Sequence, residues 1–449
     1  MAFPVIKFNN STGSDTQASG AGPDTAVFGT GASLSSSTSV DLSADSPDLS
    51  GVATDGSACL WVLTSSGRQF SKITGVDNGT KIVTVETAYG VTESGRTWAI
   101  GGKRATWDDT NSRNLFGSTG ALASWTVITE TDQTITSALL INSPGAFTIK
   151  SDNALIRRTI NQTANAACFS TTSGTSAVTI IALKFTNSNA TKTSATGLAH
   201  SASRTYICIN CELGDSTNKL FRASSTSASH FHFIYCNIHD CTISSLGYVC
   251  EMSNVNSSYR FDYCWIHDNP NARIVREDSS SLFHMFNCVV ENNGGAAVLG
   301  SQNKYVFIVA NTFDSNGESP IQYAGASFSN GRIINNQFTN NTGYGIRLPA
   351  SVDFDIYLSC VIDYNNFYNN SSGSYNGTYS GGANDTANNP NYIDSANGDF
   401  TLALAARALG YPGNSLADLP SVSHVDQGAI QSVSNGGVMG ANTRGGFVN

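Results

Sequence analysis

The sequence predicts an all-β protein whose main part is a parallel β-helix, a solenoid in which short strands wind into stacked coils. A strand-like pattern recurs eight times between residues 183 and 370, and successive copies lie 23 to 29 residues apart. No segment between the copies shows the sustained 3.6-residue periodicity of an amphipathic helix. A fixed period of this length indicates one supersecondary unit stacked on the next. A unit made only of short strands and turns is a coil of a β-helix.

Each copy of the pattern alternates between inward and outward residues around one position, which is Cys or Asn in the last seven copies. We call this position the marker. An apolar residue lies three positions before the marker and another lies two positions after it, as Phe261 and Ile266 do around Cys264. This period of two is that of a strand with one buried face. Asn, Asp and Gly then follow each strand and indicate a turn, because they tolerate positive φ.

The marker residues are predicted to stack into two structural ladders inside the coils. Coils of a β-helix stack about 4.8 Å apart, so that like residues lie above like. We expect the asparagine column to form hydrogen bonds along itself and to the backbone. We expect the cysteines to be buried free thiols, because their parallel side chains would give poor disulfide torsion. The ladder residues are Cys211, Cys236, Cys264 and Cys288, followed by Asn311, Asn336 and Asn365.

The composition is typical of turn-rich β structure with a neutral polar surface. Charged residues make up 13% of the 449 residues, and 42 residues are glycine. The net charge of −9 provides no basic surface, so we expect no nucleic-acid partner. The chain has no transmembrane run and no apparent signal peptide, so we expect no membrane association. The cysteine spacing matches no zinc or thiol-redox motif, and we predict no metal and no cofactor.

Composition shifts divide the chain into four predicted regions. Residues 1–25 are expected to be an extended N-terminal arm. Residues 26–102 are expected to form a small β domain, because strand-like runs flank Asp77-Asn78-Gly79, a strong hairpin signal. Residues 103–431 are assigned to the β-helix, and residues 432–449, rich in Gly and Asn, to a C-terminal arm.

Three segments near the C-terminus resemble the closing coils of the right-handed, pectate-lyase-like β-helix superfamily. They are Asn389-Pro390-Asn391-Tyr392-Ile393-Asp394, Asn397-Gly398-Asp399-Phe400-Thr401-Leu402 and Val425-Asp426-Gln427-Gly428-Ala429-Ile430. Together with the repeated apolar and marker positions, this resemblance implies a right-handed, single-stranded parallel β-helix. This resemblance is specific for fold and does not decide function.

The N-terminal region is similar to the beginning of structural proteins from tailed bacteriophages. The segments that show this are Val5-Ile6-Lys7-Phe8-Asn9-Asn10 and Trp98-Ala99-Ile100-Gly101-Gly102-Lys103-Arg104-Ala105-Thr106. Phage particles use β-helices as tailspikes, fibres and capsid decorations, commonly as trimers. The resemblance therefore implies a homotrimer that contacts other virion proteins through its N-terminal region. It places the chain in the virion after synthesis in the host cytoplasm.

A stripe of titratable residues just past the strands is the candidate site for chemistry. Stacked coils would bring these side chains into one polar surface strip: His239, Asp240, His267, Asp268, Glu291 and Asp314, with Asp215 at its end. Paired carboxylates could cut a glycosidic bond, and carboxylates with calcium could support a lyase. The paired His-Asp steps could also bind a metal. The alternative is turn chemistry, because Asp at a corner forms hydrogen bonds with its own backbone.

A second column, four residues before the markers, mixes basic and aromatic side chains. Its members, and a nearby tryptophan, could contact a glycan or a neighbouring subunit: His232, Arg260, His284, Phe307 and Arg332, with Trp265 close by. The alternative is a solvated edge with ordinary exposed aromatics.

These observations favour a structural protein of a tailed-phage virion over an enzyme. A capsid decoration, a collar fibre and a tailspike all remain open as its position on the particle. The second hypothesis is a tailspike that binds or depolymerises host polysaccharide as a glycosidase or lyase. A cell-surface adhesin is the third, and the missing secretion signal disfavours it.

Overall fold

The computed structural model describes a β-rich chain without α-helix in its described residues. Those residues are 5–8, 27–55, 58–65, 67–100, 125–136, 139–140, 146–164, 168–171, 177–187, 198–200, 204–214, 220–223, 229–243, 247–252, 257–277, 282–300, 305–323, 330–348, 360–376, 379, 381–402, 428–429, 431–432 and 438–439. Two 3₁₀ helices occur there, Ser43–Asp45 and Ser395–Asn397. None of the helices in this part is long and apolar enough to cross a membrane. Asp215 and most of both predicted arms lie outside the described residues.

The chain divides into two compact units, Met1–Phe185 and Thr186–Asn449. In the first unit, six antiparallel strands close into a barrel, which is the predicted small β domain. The strands are Val27–Leu34, Ser39–Asp41, Cys59–Thr64, Gly67–Asp77, Ile82–Val85 and Glu93–Ile100. The predicted hairpin turn is present, and Asp77 Oδ1 stabilises it by accepting the N–H of Gly79 at 2.8 Å.

The barrel is inserted between two neighbouring strands of a parallel sheet. Val5–Phe8 pairs in parallel with Trp125–Thr129, with Val5 opposite Thr126. Residues 1–25 were expected to form an extended arm, and Val5–Phe8 within them is a paired strand. Its backbone pairs with the edge of the first coil, where an exposed strand edge would otherwise invite association.

The remaining strands of the first unit begin the β-helix. Within each coil the chain passes through three strands, which we call in order the first, second and third sheet. The first sheet contains Trp125–Thr129, Phe147–Ser151 and Val178–Ile181; the second contains Gln133–Ile135, Arg158–Gln162 and Leu183–Asn187; the third contains Leu139–Leu140 and Phe169–Thr171. Their strands pair in parallel and in register, as Ile149 does with Ile180.

The second unit repeats the same three-strand coil many times. Its first-sheet strands are Arg204–Ile209, Ser229–Ile234, Ser258–Asp262, Leu282–Phe286, Tyr305–Val309, Asn330–Ile334 and Cys360–Asp363. Its second-sheet strands are Glu212–Gly214, Asn237–His239, Trp265–His267, Val289–Glu291, Thr312–Asp314, Gln337–Thr339 and Asn366–Tyr368. Its third-sheet strands are Leu198–His200, Phe221–Ala223, Tyr248–Met252, Arg273–Glu277, Val298–Gly300, Ile321–Tyr323, Tyr344–Arg347 and Gly373–Tyr375. Parallel in-register pairing keeps each sequence column in one spatial column, as the repeat predicts.

The inward columns form the core of this unit. Phe233 and Phe261 stack with ring centroids 4.8 Å apart, and Phe338 stacks on Phe313 and on Phe367 at 5.0 Å. These distances equal the spacing between hydrogen-bonded strands, so one ring lies directly above the next.

Two corners of each coil use left-handed backbone. Residues at these positions have φ between 51° and 58°. The first corner has Asn210, Tyr235, Tyr263, Asn287, Ala310, Asn335 and Tyr364; the second has Asp240, Asp268, Asn292, Ser315, Asn340 and Asn369. Asn and Asp at the second corner agree with the predicted turns, whereas Tyr and Ala at the first carry no such signal. Repetition of the same pairing in every coil holds these residues in a conformation that they rarely adopt alone.

The chain then folds back over its own coils. Tyr392–Asp394 pairs with Asp399–Leu402 in an antiparallel hairpin. Further along, the N–H of Gly428 donates to the carbonyl oxygen of Asn335 at 2.6 Å. Two short strands, Gln431–Ser432 and Val438–Met439, pair with each other. The C-terminal region, expected to be an arm from residue 432, is thus paired at both of these strands.

Candidate functional site

The marker residues occupy one fully buried column, which we call the first ladder. Asn311 Nδ2 donates to Asn336 Oδ1 at 3.0 Å, and Asn336 Nδ2 donates to Asn365 Oδ1 at 2.9 Å. Each amide oxygen also accepts a backbone N–H from the neighbouring coil, as Asn336 Oδ1 does from Asn311 at 2.9 Å. The amide groups that form these bonds therefore have hydrogen-bond partners without needing water.

The cysteine part of the first ladder is a row of thiols. Nine cysteines among the described residues are free and buried. Burial raises the pKa of the Cys236 thiol well above its ordinary value, and the neighbouring Cys211 and Cys264 thiols add to this. A thiol with a raised pKa forms little thiolate and is a poor nucleophile. The geometry therefore agrees with cysteines that serve as small apolar residues.

A second asparagine ladder lies parallel to the first and was not identified from the sequence. Its amide-to-amide hydrogen bonds are 2.8 to 3.0 Å long, and its members are Asn269, Asn293, Asn316, Asn341 and Asn370. Each member lies five positions after a marker residue, so the repeat contained a signal for it. The turn chemistry of the Asn-Asn and Asn-Gly pairs concealed this buried role.

The stripe of titratable residues begins, in chain order, with an imidazole held between two carboxylates. His239 Nδ1 lies 2.7 Å from Asp240 Oδ2, and His239 Nε2 lies 3.2 Å from Glu212 Oε1. Burial opposes protonation of this ring, but the hydrogen bonds to Glu212 and Asp240 outweigh it and raise the pKa of His239. With an acceptor at each nitrogen, the ring is favoured as the imidazolium.

The next coil repeats this arrangement with one difference. His267 Nδ1 lies 2.8 Å from Asp268 Oδ2, and His267 Nε2 lies 2.9 Å from Asn237 Oδ1. The rings of His239 and His267 stack at 5.2 Å, and the Trp265 ring stacks on His267 at 3.9 Å. The two histidines are thus brought together as predicted from their spacing, as members of a stacked column.

The upper part of the stripe is not a surface strip. His267 is 8% exposed, and Glu291 and Asp314 are each 6% exposed. Glu291 Oε1 accepts the indole N–H of Trp265 at 2.8 Å. Asp314 accepts hydrogen bonds from Ser315 Oγ at 2.7 Å and Asn340 Nδ2 at 2.9 Å. The expectation of an exposed polar stripe therefore needs correction here, because the C-terminal hairpin covers this face.

Trp265 also differs from the expected exposed aromatic. Its side chain is 5% exposed and packs with Val289, Phe400 and Ala429. Tyr392 packs against the same cluster. The covered indole offers no free face to a sugar ring in this arrangement.

The exposed remainder of the stripe borders an open groove. The groove has a volume of about 430 Å³, and its lining includes Asp240, Thr242, Asp268, Pro270, Asn292 and Ser315. The Asp240 side chain is 57% exposed. Asn292 Nδ2 donates to Asp268 Oδ1, which fixes the second carboxylate on the groove wall. The groove can offer carboxylate, amide and hydroxyl groups to a polar ligand.

The predicted basic column lies on the outer face of the first sheet and surrounds a carboxylate that was not predicted. Asp262 Oδ2 accepts hydrogen bonds from His232 Nε2 at 2.6 Å and Arg260 Nε at 2.8 Å. Asp262 is 6% exposed. The Arg260 guanidinium carbon also lies 5.4 Å from the centre of the Phe286 ring. This part of the column is an internal ion-pair cluster.

The upper members of this column differ in their surroundings. The His284 ring contacts the Phe286 and Phe307 rings edge-on, at 5.4 and 4.9 Å. Arg332 is half-buried beside them, opposite Phe307 in the register. The structure thus brings the predicted column together without showing what it contacts outside the chain.

Among the described residues, no group of three or more His, Cys, Asp or Glu side chains is arranged to hold a metal ion. The paired His-Asp steps are instead engaged with each other and with neighbouring coils.

A match to a known protein family supports the fold. A family model described as a right handed beta helix region matches residues 251–403. The crystal structure of pectate lyase Pel9A is similar with a TM-score of 0.39 and 11% identity, over 68% of this chain and 88% of that chain. No curated protein matches. The family match and the parallel sheets confirm the predicted class: a right-handed parallel β-helix with a small antiparallel N-terminal β domain.

Proposed function

We propose that this chain is a structural protein of a tailed-phage virion, a β-helical homotrimer that decorates the particle or projects from it. The observation that supports this most is that the stripe residues form hydrogen bonds within the protein. Each described member forms a hydrogen bond with another side chain of its own coil stack, so the row supports the coils. A catalytic acid and base need access to substrate, and three of the six residues are almost fully covered.

The proposed attachment region is the N-terminal unit. The described parts of the segments that resemble phage structural proteins lie in the strand Val5–Phe8 and in the last barrel strand, Glu93–Ile100. On the barrel surface, Phe28 is 72% exposed and Leu63 is 43% exposed. Exposed apolar side chains of this size are candidates for contacts with other virion proteins. The laddered coils would form the rigid part.

Cryo-electron microscopy of the particle that encodes this chain tests the proposal. We expect three-fold density for the β-helix, with the barrel next to another virion protein. Density on the capsid lattice would identify a decoration, whereas density at the tail tip would identify a spike. Particles that contain the protein nowhere, together with a chain that is monomeric by mass photometry, would contradict it.

A second candidate function is binding or depolymerisation of a host polysaccharide. The groove beside Asp240 and Asp268 favours it, because an open polar groove with carboxylates suits a hydroxyl-rich ligand. Asp240→Asn and Asp268→Asn should then reduce binding to host capsule, or the release of reducing ends or unsaturated products. Asp48→Asn, on an exposed carboxylate of the barrel, is the matched control. Activity that both groove variants retain would exclude the groove as the site.

A further inference from the structure

The outer face of the first sheet carries more apolar side chains than a solvated sheet face normally does. A strand with one face in water usually alternates apolar inward residues with polar outward ones. In the second unit the inward residues, such as Phe233 and Phe261, are fully buried as this pattern requires. The outward positions that are half-buried or exposed nevertheless include six apolar or aromatic side chains: Ile207, Ile234, Leu282, Tyr305, Phe307 and Val361.

These six side chains lie along one straight strip, which we call the apolar strip, with histidine and arginine side chains between them. In-register pairing places Tyr305 beside Leu282, and it places Phe307 and Val361 on the two sides of Arg332. Tyr305 is 40% exposed and Val361 is 49% exposed, whereas Phe307 packs partly on a buried apolar cluster. The apolar strip crosses seven first-sheet strands. It is about 30 Å long, because coils stack about 4.8 Å apart.

The two carboxylates that the described strands place on this face are engaged within the chain. Asp262 accepts hydrogen bonds from His232 at 2.6 Å and Arg260 at 2.8 Å. Asp363 accepts the backbone N–H of Asn384 at 2.8 Å. Since the whole chain has a net charge of −9, two copies repel each other on average. A face whose carboxylates are already paired is therefore where two copies can approach with the least repulsion.

The regular spacing of the apolar strip favours another copy of this chain as its occupant. Each outward column repeats once per coil, about every 4.8 Å along the helix. A rotation axis parallel to the coils brings each coil of one copy to the height of the same coil in the next copy. The two surfaces then match along their whole length, whereas a protein without this repeat could match them at a few points only.

We propose that the outer face of the first sheet, between Ile207 and Val361, is the surface through which copies of this chain pack together. This inference rests on the homotrimer of the proposed function and identifies the face that the homotrimer uses. Association would remove the exposed parts of Tyr305, Phe307 and Val361 from water, which favours the assembly. Tyr305 and Arg332 are also of the residue types that protein interfaces enrich.

Two added carboxylates should break this interface. Tyr305→Glu combined with Val361→Glu changes exposed side chains, so the coils should still fold. Mass photometry over a series of concentrations should show a trimer for the wild type. The double variant should dissociate at concentrations at least about tenfold higher, because two central contacts become repulsive. Leu155→Glu is the matched control, since Leu155 is an aliphatic residue outside the strip and is 81% exposed.

The possible outcomes separate this inference from the homotrimer itself. A wild-type trimer that persists in the double variant would place the interface elsewhere and overturn this inference alone. Equal dissociation of the Leu155→Glu control would also overturn it, because added charge anywhere would then have the same effect. A monomeric wild type would overturn the homotrimer and this inference together.

Photo-crosslinking decides the question if the double variant does not fold. A benzophenone amino acid in place of Val361 should cross-link one copy of the chain to another on irradiation. The same group in place of Leu155 should give no such product. Adducts from position 361 to a different protein in purified particles would identify another occupant of the apolar strip and overturn the proposal.

Discussion

The Oδ1 atom of Asp385 accepts the backbone N–H of Asn365 at 2.8 Å, the same bond that Asn365 Oδ1 accepts from Asn336 at 3.0 Å. An aspartate thus occupies the place of the next asparagine and ends the first ladder. Its other oxygen accepts hydrogen bonds from Tyr375 Oη and the Gly382 N–H, both at 2.6 Å. The last coil of a solenoid needs such a cap, because its backbone has no following coil to pair with.

We predict that Asp385→Ala destabilises the protein more than Asp385→Asn does. Alanine leaves the Asn365 N–H buried without an acceptor, at a cost of about 1–3 kcal/mol. Burial raises the pKa of Asp385 although its hydrogen bonds oppose this, so the carboxylate form is disfavoured here. A neutral amide keeps the Oδ1 acceptor without that penalty, but its Nδ2 cannot accept the Gly382 N–H, so we expect a smaller loss than for alanine rather than none. Urea unfolding and amide exchange at Asn365 measure both effects, and equal losses in the two variants would contradict the capping role.

A substitution in the middle of the first ladder should lower the free energy of unfolding more than a substitution at its end. Asn336 Nδ2 donates to the carbonyl oxygens of Ile308 and Ile334 at 2.9 and 3.0 Å, besides its bonds within the ladder. Asn336→Ala should lower the free energy of unfolding by about 2–4 kcal/mol, because several buried groups lose partners. Asn336→Cys should have a smaller effect, since cysteine fills this column in earlier coils. Asn388→Ala, at an exposed asparagine, serves as the control, and a loss there as large as at Asn336 would contradict a ladder-specific effect.

His239 should make stability depend on pH. Its pKa is raised in the folded protein, where Glu212 and Asp240 outweigh the effect of burial. The folded state then binds the proton more tightly than the unfolded state, whose histidine titrates near about 6.5. The resulting stabilisation is fully present below that pH and is lost as the pH rises through the higher folded pKa. His239→Gln should flatten the pH dependence above about pH 6.5, whereas His230→Gln, at an exposed histidine, should preserve it. Identical profiles for wild type and His239→Gln would refute the assignment.

The sequence predicted those parts of the fold that repeat. Alternation around each marker fixed which residues face inward, because in-register stacking places every copy in the same environment. The first ladder followed from this, and the second could have followed from the Asn that stands five positions after each of the last five markers. Corners occupied by Tyr235 and Tyr263 were not predictable from residue type, since only repetition of the coil imposes their positive φ.

The contacts that do not repeat were not predictable. Ala429 contacts Thr312 across 117 residues, and Val5–Phe8 pairs with a strand beyond the whole barrel. No periodic signal marks either contact, because each is made once. These contacts decide that the stripe is covered at Glu291 and open at Asp240. The position of the stripe residues along the coils was therefore predictable from the sequence, whereas their exposure was not.

The last prediction concerns the chemical stability of the asparagines that precede glycine. In such a pair, the glycine nitrogen can attack the asparagine side-chain carbonyl, release ammonia and form a cyclic imide that water opens to aspartate or isoaspartate. The backbone must move for this attack, so exposed turns react and packed segments do not. Asn78 and Asn397 are exposed, whereas Asn293 and Asn316 are 1% and 0% exposed in the second ladder.

We therefore expect incubation at mildly alkaline pH to deamidate Asn78 and Asn397 and to leave Asn293 and Asn316 intact. The ladder amides donate to neighbouring amides at 3.0 and 2.9 Å, and the glycine nitrogens that follow them donate to backbone carbonyls at 2.9 and 2.7 Å. Attack would have to break both kinds of bond inside the folded coils. Peptide mass spectrometry of the folded protein measures the four sites at once, and the same incubation in denaturant provides the control. If Asn293 and Asn316 deamidate only in denaturant, the folded ladder protects them. Equal rates at all four sites in the folded protein would instead show that the ladder opens freely.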